Sequence, residues 1–372
     1  MHRAHLIRMY PTKEQEVMLK KTAGTSRYAY NWALDRWKSM YSDWMESHSN
    51  QKPSAFGLVK IWTIDRPEWA HETAYCTQQN AIHNLGKAFQ NLWRGCGKYP
   101  TFHKKGREDG FTVNNDKARI YGDRISLPNI GRVKLTEEPR FEGKVMSYTV
   151  SYYAGQWHVS IQYELPDSLP RPDNPTSVVG IDVGLKHVAV ASDGTVCDAP
   201  ESLKKLDKKL SKAQREVSKK QKGSNNRAKA LLKKQRIQNK INNIRKDVTH
   251  KFTTAITKNH GIVVTEDLHI QGMRDKAQYK SLRRSFAASM MGMILEQLKY
   301  KALEYNTVDR YFPSTKRCSS CGNVKDHIDL GERVYRCEHC GAVIDRDLNA
   351  ALNLKNAGPV RPYAPVDSAD IR

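Results

Sequence analysis

No stretch of the chain approaches the roughly 18 to 20 consecutive apolar residues that a membrane-spanning helix requires, so a membrane-embedded protein is not expected. The amino terminus, Met1-His2-Arg3-Ala4-His5, lacks the apolar core of a secretory signal. Cysteine is sparse and odd in number: of seven, four form two tight pairs near the carboxyl end and Cys76, Cys96 and Cys197 are scattered. That distribution excludes a disulfide framework and favours metal binding in a reducing cytosol. Acidic residues are also in short supply. There are 39 Asp and Glu against 62 Lys and Arg, a net charge of +23. The excess is spread along the chain, and it points to a polyanionic partner, because clustered cations release counterions from a phosphate backbone. A soluble basic protein, or one that docks on anionic membrane, is the competing reading. With 372 residues and 39% apolar content, the chain is long enough for two or three domains with buried cores.

Ala4 to Met9 reads as a short strand. Pro11-Thr12 opens a helix, with Thr12 and Gln15 at capping-box spacing, and helical patterning runs to about Met45. Ile82, Leu85, Phe89 and Leu92 recur at intervals of three and four, one apolar helix face. Residues 12–97 therefore read as a helical insert whose aromatic stripe favours core packing over base stacking. From Lys98 to Leu165 the period changes to two, in segments such as Arg124–Leu127, Arg132–Leu135, Ser147–Ser151 and Trp157–Ile161. This is an antiparallel β-domain, residues 1–11 and 98–175, into which the first strand can pair. Pro166, Pro170, Pro172 and Pro175 mark a linker.

After Ser177 the pattern becomes mixed α/β. Val178–Asp182 is an apolar run of buried-strand type, and a turn at Gly184-Leu185-Lys186 leads to a hairpin partner, His187–Ala191. Between Leu203 and Lys251 there are 18 Lys and Arg against 3 Asp and Glu. Leu203, Leu206, Leu210, Ala213 and Val217 form one seam. Ile237, Ile241, Ile244, Val248 and Phe252 form another, so two antiparallel helices with cationic outer faces are expected across residues 203–258. Such a hairpin can be merely solvated, but charge this one-sided cannot be neutralised internally, which favours phosphate contact.

Cys318-x2-Cys321 and Cys337-x2-Cys340 are separated by fifteen residues. Two such knuckles supply four thiolates for tetrahedral Zn²⁺, with Gly322 and Gly341 allowing the tight turns. Four thiolates leave no open position for water, so the zinc is structural. Asp182 and Glu266 each end a buried-type strand, and Asp345 and Asp347 lie at the start of a helix just past the second knuckle. Ionised groups in such places are costly unless paired or metal-bound. Together they can converge on hard cations such as Mg²⁺. Singly, each is as readily a turn former or helix cap.

Gly180-Ile181-Asp182-Val183-Gly184, Val264-Thr265-Glu266-Asp267-Leu268, the four-Cys knuckle and Asp345-Arg346-Asp347-Leu348-Asn349-Ala350-Ala351 occur in that order. In combination they closely resemble TnpB, the transposon-encoded RNA-guided DNA endonucleases related to type V CRISPR effectors. Tyr28–Trp37 resembles the first helical segment of that family, and Tyr99–Lys105 its Pro-x-Phe-x-x-Lys element, so the likeness covers residues 3–356. The resemblance implies a multidomain α+β protein with a RuvC-like, RNase H-type core at 176–313 and 344–357. It further implies an inserted zinc ribbon at 314–343 and the interrupted amino-terminal β-domain. A disordered tail at 358–372 is expected from composition.

The metal triad carried over by the resemblance is Asp182, Glu266 and Asp347 with Mg²⁺, Asp347 being preferred to Asp345 by its distance from Asn349. Cys318, Cys321, Cys337 and Cys340 would hold Zn²⁺. The implied partners are a guide RNA and a double-stranded DNA target, in the cytoplasm and at the nucleoid of a prokaryote. The implied activity is RNA-guided cleavage beside a short DNA motif. A non-cutting guided repressor and a strand-joining transposase are the rival readings, and the Asp, Glu, Asp order disfavours the second.

Overall fold

A computed structural model describes residues 2–47, 52–106, 109–166, 171–329 and 331–358. The tail expected at 358–372 therefore lies, beyond Gly358, outside the described residues, as does Pro170 of the expected linker. The chain divides into two compact units, residues 1–168 and 169–372.

In the first unit, β1 (His2–Tyr10) runs into α1 (Lys13–Ser47) through the capping box. The Thr12 amide donates to Gln15 Oε1 at 3.0 Å and the Gln15 amide to Thr12 Oγ1 at 3.2 Å. Two orphan donors of the first turn are thus satisfied, a gain of about 1 kcal/mol. Two further helices follow, α2 (Ala55–Asp65) and α3 (Tyr75–Trp93). Leu34, Trp37, Leu58, Trp62, Ile82, Leu85 and Phe89 form one buried cluster, so the aromatic stripe is core. Then come β2 (Gly110–Asn114), β3 (Arg119–Tyr121), β4 (Arg124–Leu127), β5 (Gly131–Leu135), β6 (Lys144–Tyr153) and β7 (Gln156–Glu164).

These strands form an antiparallel sheet in the order β2-β6-β7-β1-β5-β4-β3, with the first strand inserted between β7 and β5. Alternation along β7 turns Trp157, Val159, Ile161 and Tyr163 inward. Leu19 and Ala23 of α1 and Cys76 of α3 complete that core, so helices and sheet share it.

The second unit holds β8 (Val178–Val183), β9 (Ala189–Ala191) and β10 (Val196–Cys197), then α4 (Glu201–Ser218), α5 (Asn225–Asn259) and β11 (Ile262–Glu266). Next are α6 (Ile270–Lys276), α7 (Lys280–Ala288), α8 (Met291–Lys301) and β12 (Glu304–Val308). A small hairpin, β13 (Val334–Arg336) with β14 (Val343–Asp345), precedes α9 (Arg346–Ala357).

The main sheet has the order β10-β9-β8-β11-β12. β8, β11 and β12 are parallel, whereas β9 returns antiparallel beside β8 and pairs Val190 with Asp182. Parallel strands are covered on both faces, which explains the unbroken apolar runs Val178-Val179 and Ile262-Val263-Val264. α9 packs against β8, where Gly180 leaves no room for a side chain: a Cβ there would lie 2.0 Å from the Ala351 carbonyl oxygen. α5 and α8 meet through a buried polar network in which Gln297 accepts from Thr253 Oγ1 at 2.8 Å and donates to Thr249 Oγ1 at 2.9 Å.

Candidate metal centres and nucleic-acid surface

The parallel strands direct their carboxyl ends to one edge of the sheet, where α/β folds gather ligand-binding groups. Asp182 sits near the end of β8 and Glu266 ends β11, the strand hydrogen-bonded to it. Asp347 arrives on the first turn of α9, which packs on β8. The three are brought within electrostatic reach of one another. Burial, then the Glu266 carboxylate, then the Asp347 carboxylate push the Asp182 carboxyl up to about 7. The Arg346 guanidinium and the Val183 amide oppose that rise.

Asp345 does something else. It is exposed, and its carboxylate accepts from the Asp347 and Leu348 amides at 2.9 and 3.1 Å as the N-cap of α9. One Asp caps the helix and the other turns toward Asp182.

Glu266 is held by a residue that sequence reasoning missed. The buried Ser314 hydroxyl donates to Glu266 Oε1. Asn353 Nδ2 in turn donates to the Ser314 carbonyl at 2.8 Å. Asn349, read earlier only as a landmark, donates to the Arg317 carbonyl at 2.7 Å and accepts from the Ser319 amide at 2.9 Å. Both Asn side chains are buried. The only available signal was their spacing of four on the face of α9 that also carries Ala350 and Leu354.

The three carboxylates suit a hard divalent cation: their oxygens are acceptors only and partly buried, and Asp182 is raised first by burial and then by the charges of Glu266 and Asp347, which a cation would offset. Among the described residues, however, only the four cysteine thiols draw to within 4.8 Å of one another. Their fit to zinc is specific. A tetrahedron with Zn–S of about 2.3 Å has edges of about 3.8 Å. Cys318 and Cys340 Sγ are 3.7 Å apart, and Cys321 and Cys337 Sγ 3.6 Å. The two knuckles are near copies. Gly322 and Gly341 donate to the Cys318 and Cys337 carbonyls at 2.9 and 3.0 Å, with φ of +80° and +72°. Cys318 and Cys337 donate to Asn323 and Ala342 at 2.8 Å in both cases.

The basic hairpin forms as its pattern implies. Leu203, Ile241 and Phe252 enter the core of the second unit, with Leu206, Leu210, Ile237, Ile244 and Val248 packed against it. Arg227 closes the turn by donating to the Val217 and Lys220 carbonyls at 2.7 and 2.9 Å. Its few acids are already engaged: Asp207 with Arg245, Glu216 with Lys233 and Asp247 with Lys251. Lys204, Lys205, Lys208, Lys209, Lys212 and Lys219 are exposed, as are Lys104 and Lys105 in the first unit. No helix among the described residues is long and apolar enough to cross a membrane.

Three family models match the sequence. One described as "Probable transposase" (OrfB_IS605) covers residues 160–277, a "Cas12f1-like, TNB domain" covers 292–354, and a "Helix-turn-helix domain" covers 1–43. In the structure that last region is a strand followed by the single helix α1. "Putative RNA-guided DNA endonuclease InsQ" of Escherichia coli (strain K12) is 31% identical over 95% of this chain and 92% of its own length. A Streptomyces pristinaespiralis protein described as "Putative RNA-guided DNA endonuclease" is 32% identical over 96% of this chain and 89% of its own. In fold, the chain is similar to the protein of a Cas12f1-sgRNA-target DNA complex. That likeness has a TM-score of 0.55 at 13% identity and covers 96% of this chain and 99% of that one.

Proposed function

Because the chain belongs to the TnpB family, we propose that it is an RNA-guided DNA endonuclease that recognises a short motif beside its target and hydrolyses DNA strands. Its cleaving centre in this reading is Asp182, Glu266 and Asp347 in a RuvC-like core, and its structural zinc is held by Cys318, Cys321, Cys337 and Cys340. The observation that carries the reading is the Asp182 carboxyl. It is buried, and two further acids from segments far apart in sequence lie near enough to add to burial in raising it to about 7. A fold does not keep three like charges there for its own stability. This argues against a non-cutting repressor.

The strand order β10-β9-β8-β11-β12, with the second and third strands of the chain segment antiparallel to their predecessors, supports an RNase H-type core. Two Mg²⁺ ions, when bound, would supply an activated water and charge neutralisation at the leaving oxygen. The protein's part is to hold those ions through Asp182, Glu266 and Asp347 and to fix the strand beside them. Guide pairing would read most of the target, while the exposed cations of the α4–α5 hairpin and Lys104 and Lys105 contact phosphates without reading bases.

The test starts with purification of the protein from cells carrying its flanking DNA and sequencing of the RNA that accompanies it. One abundant RNA with a constant scaffold and a variable end, directing Mg²⁺-dependent cleavage of a matched plasmid, is expected. Asp182→Ala should abolish cutting while retaining RNA and DNA binding. Heterogeneous RNA, or cleavage by Asp182→Ala, would overturn the guided or the catalytic part respectively.

A further inference from the structure

We propose that Ser314 is a positioning residue through which the zinc ribbon fixes the orientation of Glu266. The inference rests on the reading of Asp182, Glu266 and Asp347 as metal ligands and names a residue outside that set.

The argument begins with burial. Ser314 is 3% exposed, yet it lies on the irregular segment between β12 and the first zinc knuckle, where side chains are ordinarily solvated. Its hydroxyl donates to one carboxylate oxygen of Glu266, which leaves the second oxygen available for a cation. A Glu at a strand end has three rotatable side-chain bonds, and ordering them costs free energy when a ligand binds. A buried donor already bonded to one oxygen removes much of that cost beforehand.

What fixes Ser314 is the ribbon's attachment to α9. Asn353 donates to the Ser314 carbonyl at 2.8 Å and also to the Arg317 carbonyl at 2.6 Å. Asn349 holds the same Arg317 carbonyl and the Ser319 amide, on either side of Cys318. The Arg317 amide donates back to Pro313 at 2.9 Å, closing a tight turn. A continuous series of hydrogen bonds therefore runs from the Cys318 knuckle, through two buried Asn side chains, to Ser314 and on to Glu266. The same helix carries Asp347. The surroundings of the cysteine cluster thus orient Glu266 and are anchored to the helix that presents Asp347.

The experiment is a Mn²⁺ titration of the full-length, zinc-loaded protein, with free Mn²⁺ read by its paramagnetic resonance signal and zinc measured in the same samples. Ser314→Ala is expected to bind Mn²⁺ on the order of tenfold more weakly with zinc content unchanged. Ser314→Thr, which keeps the hydroxyl, should restore affinity to near wild type. Asn353→Ala should weaken binding too, and its effect should not add to that of Ser314→Ala, because both act on one series of bonds. A Ser314→Ala titration matching wild type overturns the proposal. Equal weakening in Ser314→Ala and Ser314→Thr with loss of zinc overturns it as well, reducing the residue to packing. Asp182→Ala separates the two levels. If it binds Mn²⁺ as wild type does, the metal-site reading fails and this inference fails with it. If it loses Mn²⁺ while Ser314→Ala does not, only the positioning role fails.

Discussion

The carbonyl oxygen of Ala351 stands 2.0 Å from where a Cβ on residue 180 would be, and the Lys355 amide nitrogen 2.4 Å from it, so α9 lies on the bare backbone of Gly180. This approach brings the helix carrying Asp347 close to the strand carrying Asp182. Gly180→Ala must push backbone, not a flexible side chain. It is expected to cost about 3 kcal/mol or more, lowering Tm by roughly 6 °C or more. Divalent-cation binding should fall in parallel, and a variant that melts like wild type would show the packing to be looser than described.

Asp345 and Asp347 are two residues apart; the first caps α9, and in the proposed reading the second is a metal ligand. Asp345→Ala removes the cap of α9 and should cost about 1 kcal/mol while cleavage persists. Asp347→Ala should abolish guided cleavage with little change in melting. Plasmid cleavage and thermal melting on the two variants decide it, and the reversed pattern refutes the assignment.

The raised Asp182 carboxyl links stability to pH. Between the usual carboxylate value near 3.8 and about 7, the folded chain holds this proton and the unfolded chain has released it. Stability of the metal-free protein therefore falls as pH rises through that window, by an amount on the order of a few kcal/mol, and then levels off. Mg²⁺ competes with the proton, so its stabilising effect should grow from pH 5.5 to pH 8. Melting curves with and without Mg²⁺, on wild type and Asp182→Asn, test this. The Asn variant should lose most of both trends, and an unaltered pH profile would falsify the linkage.

Replacing exposed Lys208, Lys209, Lys212 and Lys219 by Ala should weaken nucleic-acid binding at every sequence alike. The slope of log K against log salt should drop by roughly 0.7 to 0.9 for each phosphate contact removed. A slope equal to wild type would mean that the hairpin is merely solvated.

What the sequence disclosed followed from how local the cause was. Thr12 and Gln15 satisfy each other across one turn, so the start of α1 could be read from four residues. The knuckle geometry is equally local, since each pair of cysteines and its glycine makes its own turn. The β8–β9 hairpin was legible because Gly184 sits between two apolar runs. By contrast, α2 was not separable within the helical insert. Its outward face carries Phe56 and Ile64 as well as the inward Leu58, Val59 and Trp62, so no polar stripe marks it. In β2 only Phe111 and Val113 alternate with polar neighbours, a run too short to mark a strand by itself before its pairing with β6 is seen. Ser314 was invisible for a different reason. Its meaning lies in a partner 48 residues away, and a serine after a proline before a cysteine pair reads as a turn.

The order in which the three carboxylates occur along the chain bears on synthesis. β8 and β11 emerge from the ribosome before the ribbon, and α9 follows it. Domains fold largely as they are made, from the amino end onward. A nascent chain thus possesses its basic hairpin and two of the three acids before Asp347 exists to complete the set. On the proposed reading, a message interrupted within the ribbon would yield a product lacking both Asp347 and the helix that covers Gly180, so neither the carboxylate set nor the packing of the second unit would be complete. Cleavage, on that reading, is then withheld until translation has passed α9.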